Sequence, residues 1–443
     1  MSRLFGTDGI RGVANIDLKP TMAYALGRAT AKRLAGSGGS IVVGQDTRRS
    51  GDMFVAAITA GATSMGVDVH AVGVVPTPAL AFLARNGPYQ AGIMVSASHN
   101  PADDNGLKVL DAEGLKLDDA IEEELEALIW RESELGGVGN AQLGLRIDAA
   151  TAVDAYREHR IGLASTIDAS GLHIVLDGAN GSGGGFGPGI LAATGARVEA
   201  IHVAPDGINI NLDCGATAPA SLAAAVAERG ADVGFALDGD ADRLIAVDGR
   251  GRAVDGDQVL GILALERLSR DALPGGLVVS ILSNGGLQQA VEAAGGEVVR
   301  TPVGDKYILE GMQVSGATLG GEKSGHVIVM EHTTSGDGIV TALELLRVMT
   351  ARGLPLADLA AAITLLPQQQ RAVKARHKDQ WEGDATLRRA IAEASSRLGD
   401  AGRVLVRPSG TEPALRVMVE GPDEALVSEL ADTLAGLAGE RLN

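Results

Sequence analysis

The chain has a single cysteine, Cys214, in 443 residues, which excludes a framework of internal disulfides and fits a reducing compartment. Aromatic residues make up only 2%, so the hydrophobic cores have to be assembled from Ala, Val, Leu and Ile. Positive charge is in deficit: 38 Lys and Arg against 56 Asp and Glu leave a net charge of −18. Nucleic acid is therefore not an expected partner, and an anionic substrate has to be met by a local basic cluster or a metal. No apolar run reaches the ~18 residues of a membrane span. The first residues, Met1 to Gly6, show no apolar signal-peptide segment. The expectation is a soluble cytoplasmic protein with no membrane partner. Glycine, by contrast, is abundant at 61 residues, and 45% of the chain is hydrophobic, enough for three or four packed domains with many tight turns.

A pattern recurs three times along the chain. Its first copy has strands at Ser40–Gly44, Gly66–Val72 and Ala91–Val95, a helix at about 51–65, and a polar loop leading into Asn105–Leu110. The second runs from Leu172–Gly178 through Ala196–Ile201 to Val233–Leu237, then a polar loop and Leu244–Val247. The third runs from Gly276–Ser280 through Gly296–Arg300 to a strand near 317–319, then a polar loop and Val327–Val329. Each copy reads strand, helix, strand, then strand, polar loop, strand. The crossover helices predict parallel pairing early in each copy, and the short final connection predicts an antiparallel pair. Residues 3–12 read as a glycine-rich turn and 135–155 as a polar connection. Pro367 and Gln368–Gln370 mark a boundary, after which a smaller α+β domain begins. The predicted domains are 1–152, 153–254, 255–367 and 368–443: three similar α/β domains with mixed sheets and a smaller C-terminal α+β domain.

The polar loops carry the chemistry. In Ser96-Ala-Ser98-His99-Asn100-Pro101, an apolar strand ends abruptly in two hydroxyls, an imidazole and an amide. Strand ends of this kind are where α/β proteins place their sites, and Ser98 is read as a nucleophile or the carrier of a transferred group. Asp238, Asp240 and Asp242 alternate after a strand, so their carboxylates can share one side and hold a cation. All-oxygen donors favour Mg²⁺ over Zn²⁺. An EF-hand is excluded, because Arg243 and Gly249 stand where such a loop needs Gly and Glu. Arg243 beside three carboxylates suits a phosphate arriving at the metal. Glu322, Ser324 and His326 alternate around Lys323 and suit a polyol, with His326 open as ligand, acid or hydrogen-bonded turn residue. Arg407-Pro-Ser409-Gly410-Thr411-Glu-Pro, with Arg416, looks like a phosphate cradle but has no P-loop spacing. Gly178–Gly184 preserves no GxGxxG register and reads as a structural turn; Cys214 reads as a buried or turn thiol. Together the loops point to phosphoryl transfer on a sugar phosphate.

The stretches FGTDGIRG at 5–12, DTRRSG at 46–51, PTPA at 76–79, SASHNP at 96–101, DNGLK at 104–108, DGDADR at 238–243, GEKSGH at 321–326 and RPSGTEP at 407–413 resemble the α-D-phosphohexomutase superfamily, in order and spacing. FGTDGIRG, NINLDCG at 209–215 and RPSGTEPALRVMVE at 407–420 are similar to its glucosamine branch. Lys323 departs from that pattern, where Gln is usual. The resemblance implies four domains around a central cleft and interconversion of glucosamine 6-phosphate and glucosamine 1-phosphate. This proceeds through glucosamine 1,6-bisphosphate as intermediate and activator, for cell-wall precursor synthesis. It implies a phosphoserine at Ser98 and one Mg²⁺ per chain on Ser98, Asp238, Asp240 and Asp242. Arg11, Lys108 and His99 flank the transferring phosphate, with Lys108 as proton acceptor and Arg243 in support. Glu322, Ser324 and His326 face the sugar; Arg407, Ser409, Gly410, Thr411 and Arg416 hold the other phosphate. A homodimer is a further implication. The alternatives are a phosphoglucomutase or phosphomannomutase, and a Ser/metal sugar phosphatase.

Overall fold

The computed structural model describes residues 4–6, 8–409 and 413–443. They divide into two compact units, one of residues 1–282 and 294–362, the other of 283–293 and 363–443.

The larger unit contains three sheets built on the repeated pattern. The first has six strands in the order Ile10–Val13, Asp104–Asp111, Ala91–Val95, Ser40–Gln45, Asp68–Val74, Arg146–Asp148. Ser40–Gln45 pairs in parallel with both Asp68–Val74 and Ala91–Val95, whereas Ala91–Val95 pairs antiparallel with Asp104–Asp111. The second sheet repeats this: His173–Asp177 lies parallel to Arg197–Ile201 and Val233–Leu237, and Val233–Leu237 antiparallel to Leu244–Asp248. In the third, Leu277–Ser280 is parallel to Val298–Thr301 and Leu319–Gly321, and Leu319–Gly321 antiparallel to Val327–Val329. Connection length dictates both senses, as the sequence predicts. Each polar loop therefore joins two antiparallel strands at the carboxyl end of a buried parallel strand.

A core poor in aromatics packs by close backbone approach. Helices Pro20–Thr30 and Gly51–Thr63 meet at two glycines. A Cβ on Gly27 would lie 2.4 Å from the Ile58 carbonyl oxygen, and one on Gly61 2.2 Å from that of Tyr24. Leu26, Phe54, Ile58 and Ile93 fill the space around them. Asp337 ties the second and third repeats together. It caps helix Gly338–Arg352 by accepting from the amides of Ile339 and Val340. It also accepts from the Tyr156 hydroxyl at 3.0 Å and pairs with the buried Arg160 guanidinium at 3.0 Å. Among the described residues no helix is long and apolar enough to cross a membrane.

In the smaller unit the antiparallel order is Gln368–Lys374, Ala414–Glu420, Arg403–Pro408. Helices Ala385–Leu398 and Glu424–Leu442 supply Leu387, Leu430 and Leu434 to its core.

Several expectations are corrected. The N-terminal glycine-rich turn becomes a strand at Ile10–Val13, paired along Asp104–Asp111. Asp68–Val74 draws Arg146–Asp148 out of the polar connection. At the predicted boundary, Gln368–Gln370 begin an edge strand, where an exposed face tolerates glutamine. Residues 283–293, inside the predicted third domain, group with 363–443 in the smaller compact unit. The helix Asp305–Ser315 was not anticipated; it buries Ile308, Leu309 and Met312.

Candidate active site

Three loops of the larger unit converge. Val95 ends a strand whose five residues are all buried, and Ser98 lies three residues on, itself buried. Its φ of 52° lies in the left-handed region, which costs a non-glycine residue on the order of 1 kcal/mol or more. Its hydroxyl donates to Asp238 Oδ2 at 2.6 Å, and His99 Nδ1 is 3.4 Å from Ser98 Oγ. Burial, with Arg243 and Arg11 adding to it, pushes the His99 imidazole down to about 4, so the ring is neutral at neutral pH.

Ligand atoms of Asp238, Asp240 and Asp242 all lie within 4.8 Å of one another, and all three residues are buried. Burial and then the charges of Asp242 and Asp240 hold the Asp238 carboxyl well above its ordinary value. Asp242 is buried too, yet Lys108, His326 and Arg243 hold it well below. Asp240 Oδ1 and Asp242 Oδ1 are buried and accept no hydrogen bond among the described residues. Buried carboxylate oxygens left bare in this way, in an all-oxygen donor set, fit a hard divalent cation.

Lys108 projects from Asp104–Asp111 into this cluster, with Nζ 2.8 Å from Asp240, 3.1 Å from Asp8 and 3.6 Å from Asp242. Burial disfavours the ammonium, but these carboxylates outweigh it and hold Lys108 well above the usual lysine range. Such a group is a buried cation among carboxylates. Arg11 pairs with Asp8 and donates to Asn100 Oδ1 at 3.2 Å. The Arg243 amide donates to Asp238 Oδ1 at 3.2 Å.

Arg243 and His326 form an isolated antiparallel bridge, so the carboxylate loop and the third loop are joined directly. Gly325 is required there: its φ is +92° and a Cβ would meet the Leu244 carbonyl at 2.3 Å. His326 Nε2 accepts from the Gly336 amide at 3.1 Å, which leaves Nδ1 to carry the proton and face Asp242 at 3.8 Å. Glu322 Oε1 accepts from the Gly304 amide at 3.0 Å, and Ser324 is exposed at the tip of the turn. His326 is thus hydrogen-bonded within its own loop.

The C-terminal unit carries the last predicted loop. Arg407 and Arg416 stand directly opposite each other on paired strands. Ser409 is buried, donates its amide to the Ala414 carbonyl at 2.8 Å and accepts at its carbonyl from Lys378. Gly410 and Thr411 lie outside the described residues.

Sequence reasoning left several groups without a role. Asp8, within FGTDGIRG, bridges Lys108 and Lys116. Lys116 also pairs with Asp305. Thr77, within PTPA, donates to Asp240 Oδ2 at 2.6 Å. The motif matches at 5–12 and 76–79 were the available signal, but only three-dimensional contact assigns the contacts.

A second cluster, Asp177, His202 and Cys214, also has ligand atoms within 4.8 Å of one another. Both Asp177 oxygens already accept backbone amides, from Ala179 and Gly215 at 2.9 Å each, so the cluster is a loop anchor. Cys214 is fully buried, as expected, and burial together with Asp177 and Asp213 pushes its thiol up to about 12. An unfolded thiol ionises near pH 8.5, so above that the folded chain holds a proton that the unfolded chain has lost. Stability then falls as pH rises, by up to about 1.4 kcal/mol per unit. Chemical denaturation at pH 8 and pH 10 is expected to cost the parent about 2 kcal/mol more than Cys214→Ala; equal losses would refute this.

A serine aimed at a cluster of buried carboxylates, with lysine and arginine around it, is the equipment of phosphoryl transfer. Models of the phosphoglucomutase/phosphomannomutase family match almost the whole chain: α/β/α domain I at 2–136, domain II at 153–251, domain III at 255–365 and the C-terminal domain at 369–437. The chain belongs to this family. A phosphoglucosamine mutase of Moorella thermoacetica is 50% identical over 441 residues, 99% of this chain and 98% of that protein. One from a Nocardioides species is 48% identical over the full length of both. Among solved structures, a phosphoglucomutase/phosphomannomutase family protein of Burkholderia thailandensis superposes with a TM-score of 0.84 at 27% identity, covering 100% of this chain and 99% of its own.

Proposed function

We infer that the chain is a phosphoglucosamine mutase, interconverting glucosamine 6-phosphate and glucosamine 1-phosphate through glucosamine 1,6-bisphosphate. The observation that carries the chemistry is the Ser98 hydroxyl, 2.6 Å from one of three converging aspartates. Relatives bearing this activity's name at 45–50% identity over nearly the whole chain support the substrate.

Asp238, Asp240 and Asp242, with an oxygen at Ser98, would hold one Mg²⁺, which when bound offsets charge on the transferred group. Phosphoserine 98 is the donor. The O–P bond at Ser98 Oγ breaks, and a new one forms to the free hydroxyl of the sugar phosphate. The hydroxyl's proton is balanced by one taken up at Ser98 Oγ; His99 Nδ1, neutral and close by, is placed to relay it. Lys108, Arg11 and Arg243 hold the phosphoryl oxygens as cations. The reverse transfer, from the other end of the bisphosphate, restores the phosphoserine. Glu322, Ser324 and His326 orient the sugar, and Arg407, Ser409, Gly410, Thr411 and Arg416 form the phosphate grip of the C-terminal unit.

A ³¹P NMR time course with Mg²⁺ and a trace of hexose 1,6-bisphosphate tests this, with glucosamine, glucose and mannose 6-phosphates offered separately. Fastest conversion of the glucosamine compound without free phosphate is expected. Preference for glucose or mannose would move the substrate; free phosphate as main product would make the chain a phosphatase.

A further inference from the structure

Ser98 owes its aim to its backbone, and two side chains from different repeats grip the same carbonyl. Arg48 Nη2 donates to the Ser98 carbonyl at 3.0 Å and to that of Asn100 at 2.7 Å. Asn211 Nδ2 donates to the same two carbonyls, at 2.9 and 3.1 Å. Arg48 is itself fixed by a fully buried pair with Asp46 at 2.9 Å, and Asp46 accepts from the Ser96 hydroxyl at 2.6 Å. That Ser96 oxygen in turn accepts the Ser98 amide at 2.9 Å.

Asn211 is held from the other side. Its amide donates to the Ala179 carbonyl at 2.9 Å, and the Ala179 amide is bound by Asp177, which also anchors Gly215. Asn211 has a φ of 58°, next to Asp213 at 52° and across from Ala179 at 54°. Left-handed residues gathered in one loop system show that the surroundings impose its shape. The carboxylate loop is pressed against the same point: a Cβ on Gly239 would lie 2.7 Å from the Ser98 carbonyl oxygen and 3.0 Å from Asn211 Nδ2.

We propose that Asn211 is a positioning residue for phosphoryl transfer: with Arg48 it clamps the Ser98 carbonyl, keeps Ser98 left-handed, and so holds its Oγ toward Asp238 and the carboxylate cluster. Asn211 touches no reacting atom. The role rests on the mutase reading for its consequence, but the clamp itself is a statement about Ser98's conformation.

Two variants test it. Asn211→Asp keeps the shape but turns the donor into an acceptor facing two carbonyls. Asn211→Gly keeps the left-handed backbone and removes the amide. Both are expected to fold, with parental circular dichroism, and to lose about 10- to 100-fold in kcat for glucosamine 6-phosphate, the cost of a misplacement near 1 Å. KM should change less than about threefold, since the substrate's own contacts remain. Crystal structures of the variants should show Ser98 out of the left-handed region with Oγ withdrawn from Asp238. If Ser98 keeps its conformation in both, or kcat stays within twofold of the parent in both, the clamp is refuted. An inactive parent would refute the mutase reading instead, and the crystallographic result would still decide the clamp.

Discussion

Ser98→Ala should abolish turnover, by at least about 10⁴-fold, because the group that carries the phosphate is gone and no neighbour can substitute. Thr77 also presents a hydroxyl to the carboxylate cluster, but it is buried and engaged with Asp240 Oδ2. Ser96 is buried and already donates to Asp46. His99 Nδ1 is near the Ser98 oxygen, but a phosphoimidazole there would lack the left-handed backbone that aims Ser98. The substitution also removes the hydrogen bond to Asp238 Oδ2, so a modest loss of stability accompanies the loss of activity. Intact-mass measurement after incubation with hexose 1,6-bisphosphate provides a second readout. The parent should gain one phosphate and the variant none. A variant that retains more than about 1% of turnover, or still takes up phosphate, would show that Ser98 is not the carrier.

The second large effect separates stability from activity. Asp238→Asn should raise the stability of the metal-free protein while reducing Mg²⁺-dependent turnover by at least about 10³-fold. Three buried carboxylates stand together, and the charges of Asp242 and Asp240 already push Asp238 toward its neutral form. The amide is isosteric and can keep both local hydrogen bonds: its oxygen accepts from the Arg243 amide, and its nitrogen can donate to a rotated Ser98 hydroxyl. Asp238 makes no ion pair with Lys108, which remains held by Asp240, Asp8 and Asp242. In EDTA the variant should therefore be more stable than the parent by about 0.5–2 kcal/mol, the usual scale of a stabilising single substitution. Adding Mg²⁺ should reverse the order, because ligand binding stabilises only the chain that binds it. A variant less stable than the parent in EDTA would mean that the cluster is compensated within the chain and needs no cation.

Much of this was legible along the chain. The alternation Asp238, Asp240, Asp242 after a strand is a local pattern, and a loop of six residues between two strands leaves little freedom to scatter its carboxylates. The strand that delivers Ser98 is equally local, five consecutive apolar residues ended by small polar ones. The three repeats and the sense of their strand pairs follow from connection length alone. The motifs carried the family as well.

What the sequence could not contain is contact between residues far apart in it. Lys108 is one residue of a motif until the fold sets Asp8, Asp240 and Asp242 around its ammonium, and those carboxylates come from two segments far from it in the chain. Asn211 is one residue of the NINLDCG stretch until the folded chain sets it against a carbonyl 113 positions away. Residues 3–12 read as a turn because a strand of four residues has little pattern of its own; Asp104–Asp111 makes it a strand by pairing with it. The sequence determined which groups are present, and on which loops, through local periodicity and turn chemistry. Their charge states and the aim of Ser98 were decided only by the tertiary structure, because burial, ion pairing and a shared carbonyl are properties of a site assembled from distant segments.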